Sequence, residues 1–223
     1  MLTIHYISGY KIIEYNKCNI YIVENIIGGD DCDILRDKIN NNKNSLIQRN
    51  YTHGNNVLCE YSMNDNIEIN HFINEKMLLL SSIISKINKN IKLLFHSGYT
   101  YRKIFGPTKL HCDNTYKIKS KNIFSIKNET INNDVIMIRN SSIIFTLNDD
   151  YNGGIFNFKY HNINIKLAKG SVIIFPPFWT HPHSVSELLD NTFRYTINTW
   201  SLQNVSTDDT KYDNNDNNDV MEK

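Results

Sequence analysis

Residues 92–202 consist of short runs of β-branched and aromatic residues, each closed off by turn formers, and this rhythm limits the possible folds more than any other feature of the chain. The runs are 93–95, 99–105, 135–138, 143–147, 155–158, 163–167, 171–175 and 193–200, and Gly106-Pro107, Asn148-Asp149-Asp150, Gly153-Gly154 and Lys169-Gly170 punctuate them. Side chains that branch at Cβ or carry a ring fit a pleated surface, while Gly, Pro, Asn and Asp supply the turns between strands. About eight short strands in one stretch predict a jelly roll, two sheets folded face to face around a common interior. The N-terminal part reads differently. Residues 19–24 (NIYIVE) alternate as a strand does, and Gly28-Gly29-Asp30-Asp31 then introduces a helical stretch over 32–39 with Asp30 or Asp31 as N-cap. Residues 40–56 are polar and Asn-rich, which predicts a loop, whereas 69–91 set Ile73, Met77, Leu80, Ile83, Ile84 and Ile87 at helical spacing. The expected class is mainly β with flanking helices, the N-terminal helices packed on the larger sheet.

At 223 residues the chain suits one domain that buries a core without disulfides. The pattern predicts that domain over 1–205, with helical support mostly within 25–91, the β core at 92–202 and a disordered polar tail at 206–223. Residues 114–133 form a polar, Lys- and Asn-rich insertion, too long for an ordinary strand connection and expected as a flap over a site. Lys plus Arg (24) nearly balance Asp plus Glu (23), so no basic field draws the chain to nucleic acid. Cys18, Cys32, Cys59 and Cys112 form no CxxC pair; they fit neither a zinc ribbon nor a disulfide framework and are expected as reduced thiols. The first residues lack the pattern of a secretory leader, and no stretch approaches the ~18 apolar residues of a membrane span. A soluble, intracellular, cytoplasmic protein with no membrane partner is the expectation.

The sharpest chemical signal is His111-Cys112-Asp113. On an extended strand, residues two apart point the same way, so an imidazole and a carboxylate on one face can bite one metal ion. A pair of this kind also occurs by chance, and its weight comes from what accompanies it. His181 and His183 lie two apart in an apolar, proline-bearing segment (FPPFWTHPHSV), and at most one of them is needed as a third ligand. Two histidines and one carboxylate on one face of an octahedral ion leave three positions open. In 193–200, Phe193, Tyr195, Ile197 and Thr199 share one face and Arg194, Thr196, Asn198 and Trp200 the other. A guanidinium inside a sheet needs an anionic partner, and a carboxylate matches its fork in bidentate fashion.

These pieces, in this order, resemble the prolyl 4-hydroxylase-like group of iron(II)/2-oxoglutarate dioxygenases, including phage and large-virus members. The segments that carry the resemblance are 102–113 (RKIFGPTKLHCD), 146–158 (TLNDDYNGGIFNF), the Lys169-Gly170 turn before 171–175, 181–185, and 194–200 (RYTINTW), together spanning roughly residues 93 to 200. The resemblance implies a double-stranded β-helix, a cupin-like jelly roll. It implies iron(II), 2-oxoglutarate and dioxygen as cofactors and co-substrates, and it admits ascorbate. The implied activity is hydroxylation of a peptidyl residue, prolyl by resemblance, with 2-oxoglutarate decarboxylated to succinate; the partner is a peptide or protein. His111 and Asp113 are the implied iron ligands. The family spacing favours His183, eleven positions before Arg194, as the distal ligand, with His181 as the alternative. Arg194 is implied to hold the distal carboxylate of 2-oxoglutarate, Thr196 to add a hydroxyl, and Tyr101, with Tyr99 beside it, to supply an aromatic hydroxyl from the preceding strand, although both lie farther from His111 than the family pattern sets them. Tyr116, Phe178 and Trp179 are candidates to shape the substrate pocket. Other readings are oxidation of a nucleobase or small metabolite, or a non-catalytic metal-binding β-sandwich. Neutral charge and the absence of a second arginine on the Arg194 strand speak against a nucleic-acid substrate.

Overall fold

Strand and helix periods together partition the apolar residues among the two faces of a large sheet and the inner sides of two helices. The computed structural model describes residues 2–15, 18–42, 47–50, 58–64, 67–115, 117–127, 131 and 135–204; of 47–50, 58–64, 67, 68 and 120 it describes the backbone alone. The chain opens with a hairpin, β1 (Leu2–Ile7) and β2 (Tyr10–Tyr15), turning through Ser8 and Gly9, both at positive φ as a two-residue hairpin turn requires. Next come β3 (Ile20–Val23), α1 (Gly29–Asn41), β4 (Ile47–Asn50), β5 (Leu58–Asn64) and α2 (Ile67–Ile84). The remainder is β6 (Phe95–His96), β7 (Thr100–Ile104), β8 (Thr108–His111), β9 (Lys117–Lys119), β10 (Phe124–Ser125), β11 (Ile136–Thr146), β12 (Asn152–Gly153), β13 (Phe156–Phe158), β14 (Ile163–Ile165), β15 (Val172–Phe175), β16 (His183–Val185), β17 (Leu188–Leu189) and β18 (Arg194–Asn204).

Most of these strands join one 12-stranded sheet, ordered β1-β2-β3-β15-β11-β18-β7-β5-β4, with β6, β9 and β10 attached at its side. A 4-stranded sheet, β14-β13-β16-β8, lies across from it. Period-two alternation sorts the side chains. In β18, Tyr195 and Ile197 join a core shared with the helices, through Leu35 and Ile39 of α1 and Ile73, Met77 and Leu80 of α2. The opposite face meets the smaller sheet in a second core, where Ile20, Ile22, Ile144 and Ile173 pack on Phe156 and Phe158. Burying each such side chain contributes roughly 1.5–3 kcal/mol. This is the jelly-roll architecture, with both helices on the larger sheet.

Several sequence expectations need correction. The β1–β2 hairpin, β4 and β5 all fall where no strand was expected, and β4 lies inside the segment read as a loop. Their pairing partners are distant in sequence, β5 on β7 for example, so local composition carries little of the signal. Helix α1 is longer than 32–39 and is capped by Gly28, with Asp30 and Asp31 in its first turn, where the helix dipole favours carboxylates. Helix α2 stops at Ile84, where the backbone tightens into i→i+3 bonds (Lys86 N–H to Ile83 O, 3.2 Å; Ile87 N–H to Ile84 O, 3.0 Å), while Ile87 still packs on the core. Residues 136–146 form one strand rather than two, bulged between Arg139 and Ser141. The described part of the 114–133 insertion is not a flap: β9 pairs with β11 and β10 with β6, extending the large sheet. The 206–223 tail and Tyr116 lie outside the described residues. Among the cysteines, Cys18, Cys32 and Cys112 are free thiols, and the described residues contain no helix long and apolar enough to cross a membrane.

Candidate metal centre

Strand β8 ends at His111, and Asp113 follows two residues on. Across from them, β16 begins at His183, which is the register partner of His111. The two imidazole centroids are 4.4 Å apart. His111 Nε2 stands 3.2 Å from Asp113 Oδ1, and one donor atom from each of His111, Asp113 and His183 lies within 4.8 Å of the others. Asp113 is 13 % and His111 40 % exposed at the side chain, so the cluster is open on one side. His183 is 3 % exposed, held edge-on against Phe175 at 4.7 Å and beside Phe158 at 5.7 Å.

Backbone carbonyls set both tautomers. His111 Nδ1–H donates to Lys109 O (2.8 Å) and His183 Nδ1–H donates to His181 O (3.1 Å). A carbonyl only accepts, so each Nδ1 carries a proton; His183 Nε2 then presents a lone pair, whereas His111 Nε2 bonds to Asp113 through a second proton that a metal would displace. The Ser142 hydroxyl donates to Asp113 Oδ2 (2.6 Å), orienting the carboxylate and leaving Oδ1 toward the histidines. Arg139 Nη1–H donates to the Asp113 carbonyl (3.0 Å) while its guanidinium lies 3.8 Å over the Trp200 ring. Burial works against ionisation of Asp113, but the His111 hydrogen bond, the His183 charge and the Ser142 hydroxyl outweigh it and hold the carboxyl well below the usual range. Burial lowers the His183 pKa. Burial also opposes protonation of His111, yet its bonds to Asp113 and Lys109 prevail and raise its pKa. At neutral pH the cluster thus offers an ionised carboxylate and a neutral buried imidazole. Two nitrogens and one oxygen, with part of the surroundings open, suit a divalent transition metal with room for further ligands.

His181 is occupied elsewhere. Its Nε2–H donates to Cys18 O (2.5 Å) and its Nδ1 accepts from the Thr180 hydroxyl (2.8 Å), so neither ring nitrogen is available to the cluster. Arg194 is 2 % exposed on the inner face, 4.9 Å from the Phe156 ring. Thr196 shares that face and donates to Asn198 Oδ1 (2.8 Å). The expectation for Tyr101 fails. Strand alternation turns Tyr101 and Tyr99 onto the helix face, where their hydroxyls donate to Asn70 and Asn74 of α2. Tyr151 stands near Arg194 instead. Burial raises its pKa and the Arg194 charge pulls it down, the ring packs with Ile104 and Leu188, and the buried hydroxyl has no hydrogen-bond partner among the described residues. Phe178 is half-buried and Trp179 is 77 % exposed in the loop before His183. Sequence reasoning missed Ser142, Arg139 and Tyr151; the only signal for the first two was a polar break in the apolar run IMIRNSSIIFT.

The architecture is that of the prolyl hydroxylases. Three solved structures are similar at a fold level. The viral collagen prolyl hydroxylase of Paramecium bursaria Chlorella virus-1, solved as its 2OG complex, is 13 % identical with a TM-score of 0.54, covering 84 % of this chain and 97 % of that one. A Trichoplax adhaerens prolyl hydroxylase in complex with a hypoxia inducible factor oxygen degradation domain peptide fragment is 17 % identical (TM-score 0.53; 83 % and 84 % covered). A Pseudomonas putida prolyl-4-hydroxylase is 12 % identical (TM-score 0.54; 83 % and 92 % covered). No family model and no curated protein matches the sequence.

Proposed function

We propose that the chain is an iron(II)- and 2-oxoglutarate-dependent dioxygenase that hydroxylates a peptidyl residue, most simply a proline. The observation that carries this reading is the convergence of His111, Asp113 and His183, each oriented by a second bond, between the two sheets of a prolyl hydroxylase fold. These three residues are the proposed ligands, with His183 rather than His181 as the distal one. Arg194 is the proposed anchor for the far carboxylate of 2-oxoglutarate, and the Tyr151 hydroxyl, with no hydrogen-bond partner among the described residues, and the Thr196 hydroxyl, once turned from Asn198, are proposed as further donors to it. Iron bound there, with 2-oxoglutarate and dioxygen, supplies the oxidative chemistry, which leaves succinate and carbon dioxide and puts one oxygen atom into the substrate. The chain's own part is to fix both imidazole tautomers, keep Asp113 ionised, and leave the exposed side of His111 for substrate. A peptide substrate is supported by the Trichoplax enzyme, which holds a peptide fragment.

Two measurements test the reading. Purified protein with iron(II) and 2-oxoglutarate should release succinate, and His111→Ala should abolish the release. Proline-rich peptides should gain one oxygen by mass spectrometry, whereas methylated oligonucleotides should not. Iron-independent succinate release would overturn the metal assignment, and an unmodified peptide panel would overturn the substrate class.

A further inference from the structure

Among the described residues, the large sheet ends on β1, which carries an apolar face. Along β1, Leu2, Ile4 and Tyr6 point to one side and are 54, 52 and 76 % exposed, while Thr3, His5 and Ile7 on the other side are partly covered. Among the described residues the sheet order ends at β1, and its pairing to β2 runs in unbroken register from Leu2↔Tyr15 to Ile7↔Tyr10. The exposed side chains continue an interior surface, because Ile4 is opposite Ile13 and Leu2 opposite Tyr15, and both of those pack on the core that faces the smaller sheet. Sheets usually protect such an edge with Lys, Pro or a bulge. Strand β1 (LTIHYI) has none of these, whereas β4 at the opposite end of the sheet reads IQRN.

We propose that β1 pairs antiparallel with β1 of a second copy of this chain, joining two large sheets edge to edge across a two-fold axis. A two-fold normal to the sheet keeps each face on its own side, so only residues of like parity can oppose each other. Centring the axis on Ile4 sets Ile4 against Ile4 and Leu2 against Tyr6, and every exposed apolar residue of one copy then meets one of the other. Aliphatic and aromatic cross-strand pairs of this kind are favourable. On the other face the same register sets His5 against Thr3, while His5 keeps its bond to Glu14 of its own chain (2.7 Å), so no like charges oppose. Shifting the axis to His5 would bring two imidazoles together and leave Leu2 without a partner. The chain's own C-terminal stretch is a poor alternative, since 205–223 is dominated by Asp and Asn and has no alternating apolar run. The pairing is independent of the metal centre.

Sedimentation velocity of the full chain over a range of micromolar concentrations should show a reversible monomer–dimer equilibrium. Ile4→Lys, which sets two ammonium groups opposite each other at the axis, should weaken it at least ~10-fold. Ile4→Cys, at a surface position that folding tolerates, should cross-link to dimer under mild oxidation well above the unsubstituted protein and above Thr3→Cys, since only position 4 faces itself. A monomer at every concentration overturns the proposal. So does dimerisation that Ile4→Lys leaves intact, or cross-linking of Ile4→Cys no greater than that of Thr3→Cys.

Discussion

His181 and His183 sit two positions apart on an extended segment, and hydrogen bonding alone separates their roles. Both nitrogens of His181 are engaged, one to Cys18 O and one to Thr180, whereas His183 uses only Nδ1 and turns Nε2 toward Asp113 and His111. Anaerobic titration with iron(II) should therefore show His183→Ala without specific binding and His181→Ala still binding. The His181 variant should instead lose about 1 kcal/mol of stability, because the part-buried Cys18 carbonyl loses the His181 donor. Retained affinity in His183→Ala would refute the ligand set. Ser142 acts through Asp113. Its removal leaves one carboxylate oxygen to reorient, and Ser142→Ala is expected to weaken iron binding about 10–100-fold while the fold stays intact by circular dichroism. Tyr151→Phe deletes only a hydroxyl. If that group helps hold a co-substrate carboxylate beside Arg194, KM for 2-oxoglutarate should rise several-fold with kcat little changed, since the interaction is the same before and during reaction.

At the scale of elements, β6 is only Phe95 and His96, yet both residues pair with β10 and with β18, and its histidine is buried. His96 is 2 % exposed, stacks on Tyr99 at 4.3 Å, and accepts the Gly98 N–H at Nδ1 (3.2 Å), which leaves its proton on an Nε2 that has no acceptor among the described residues. Burial pushes its pKa down from 6.5 to about 4. A group with a lowered folded pKa adds nothing against folding while both states are neutral, above pH 6.5. Below that the unfolded chain takes up a proton the folded chain refuses, so stability falls from pH 6.5 until about pH 4, by about 3 kcal/mol in all. His96→Phe should flatten the dependence of Tm on pH across this window, and an unchanged slope would rule His96 out as its source. Such a strand shows why legibility varied along the chain. Strands β13, β15 and β18 pack on both faces or alternate cleanly, so their composition announced them. β9 and β10 are 3 and 2 residues long in a Lys- and Asn-rich stretch and exist because β11 and β6 offer open edges to them. The site divides in the same way. The spacing of His111, Asp113 and His183 was written in sequence, whereas Tyr101 was misassigned because local sequence does not reveal which of two alternating faces meets the helices.

Taken as a whole molecule, the protein has two proposed ligands on strands of the smaller sheet and the third, Asp113, just beyond one of them; that strand, β8, is an edge strand that pairs, among the described residues, with β16 alone. That sheet has fewer and shorter strands than the one the helices support, and an ion bridging His111 and Asp113 to His183 would tie its edge to its interior. Binding to the folded chain alone stabilises it by RT ln(1 + [L]/Kd), about 2.7 kcal/mol when ligand is 100-fold above Kd. For a chain of this length each kcal/mol moves Tm by about 2–4 °C. Anaerobic iron(II) together with 2-oxoglutarate should thus raise Tm by about 5–10 °C, and a chelator should return it to the starting value. Iron alone should give a smaller rise, because the Arg194 pocket then contributes nothing. Arg194→Ala should keep the iron-only rise and lose the increment from 2-oxoglutarate, while His111→Ala should lose both. If 2-oxoglutarate without metal shifted Tm as much as the pair does, the oxo-acid would be bound by the basic pocket independently of the histidines, and the two halves of the site would not form one centre.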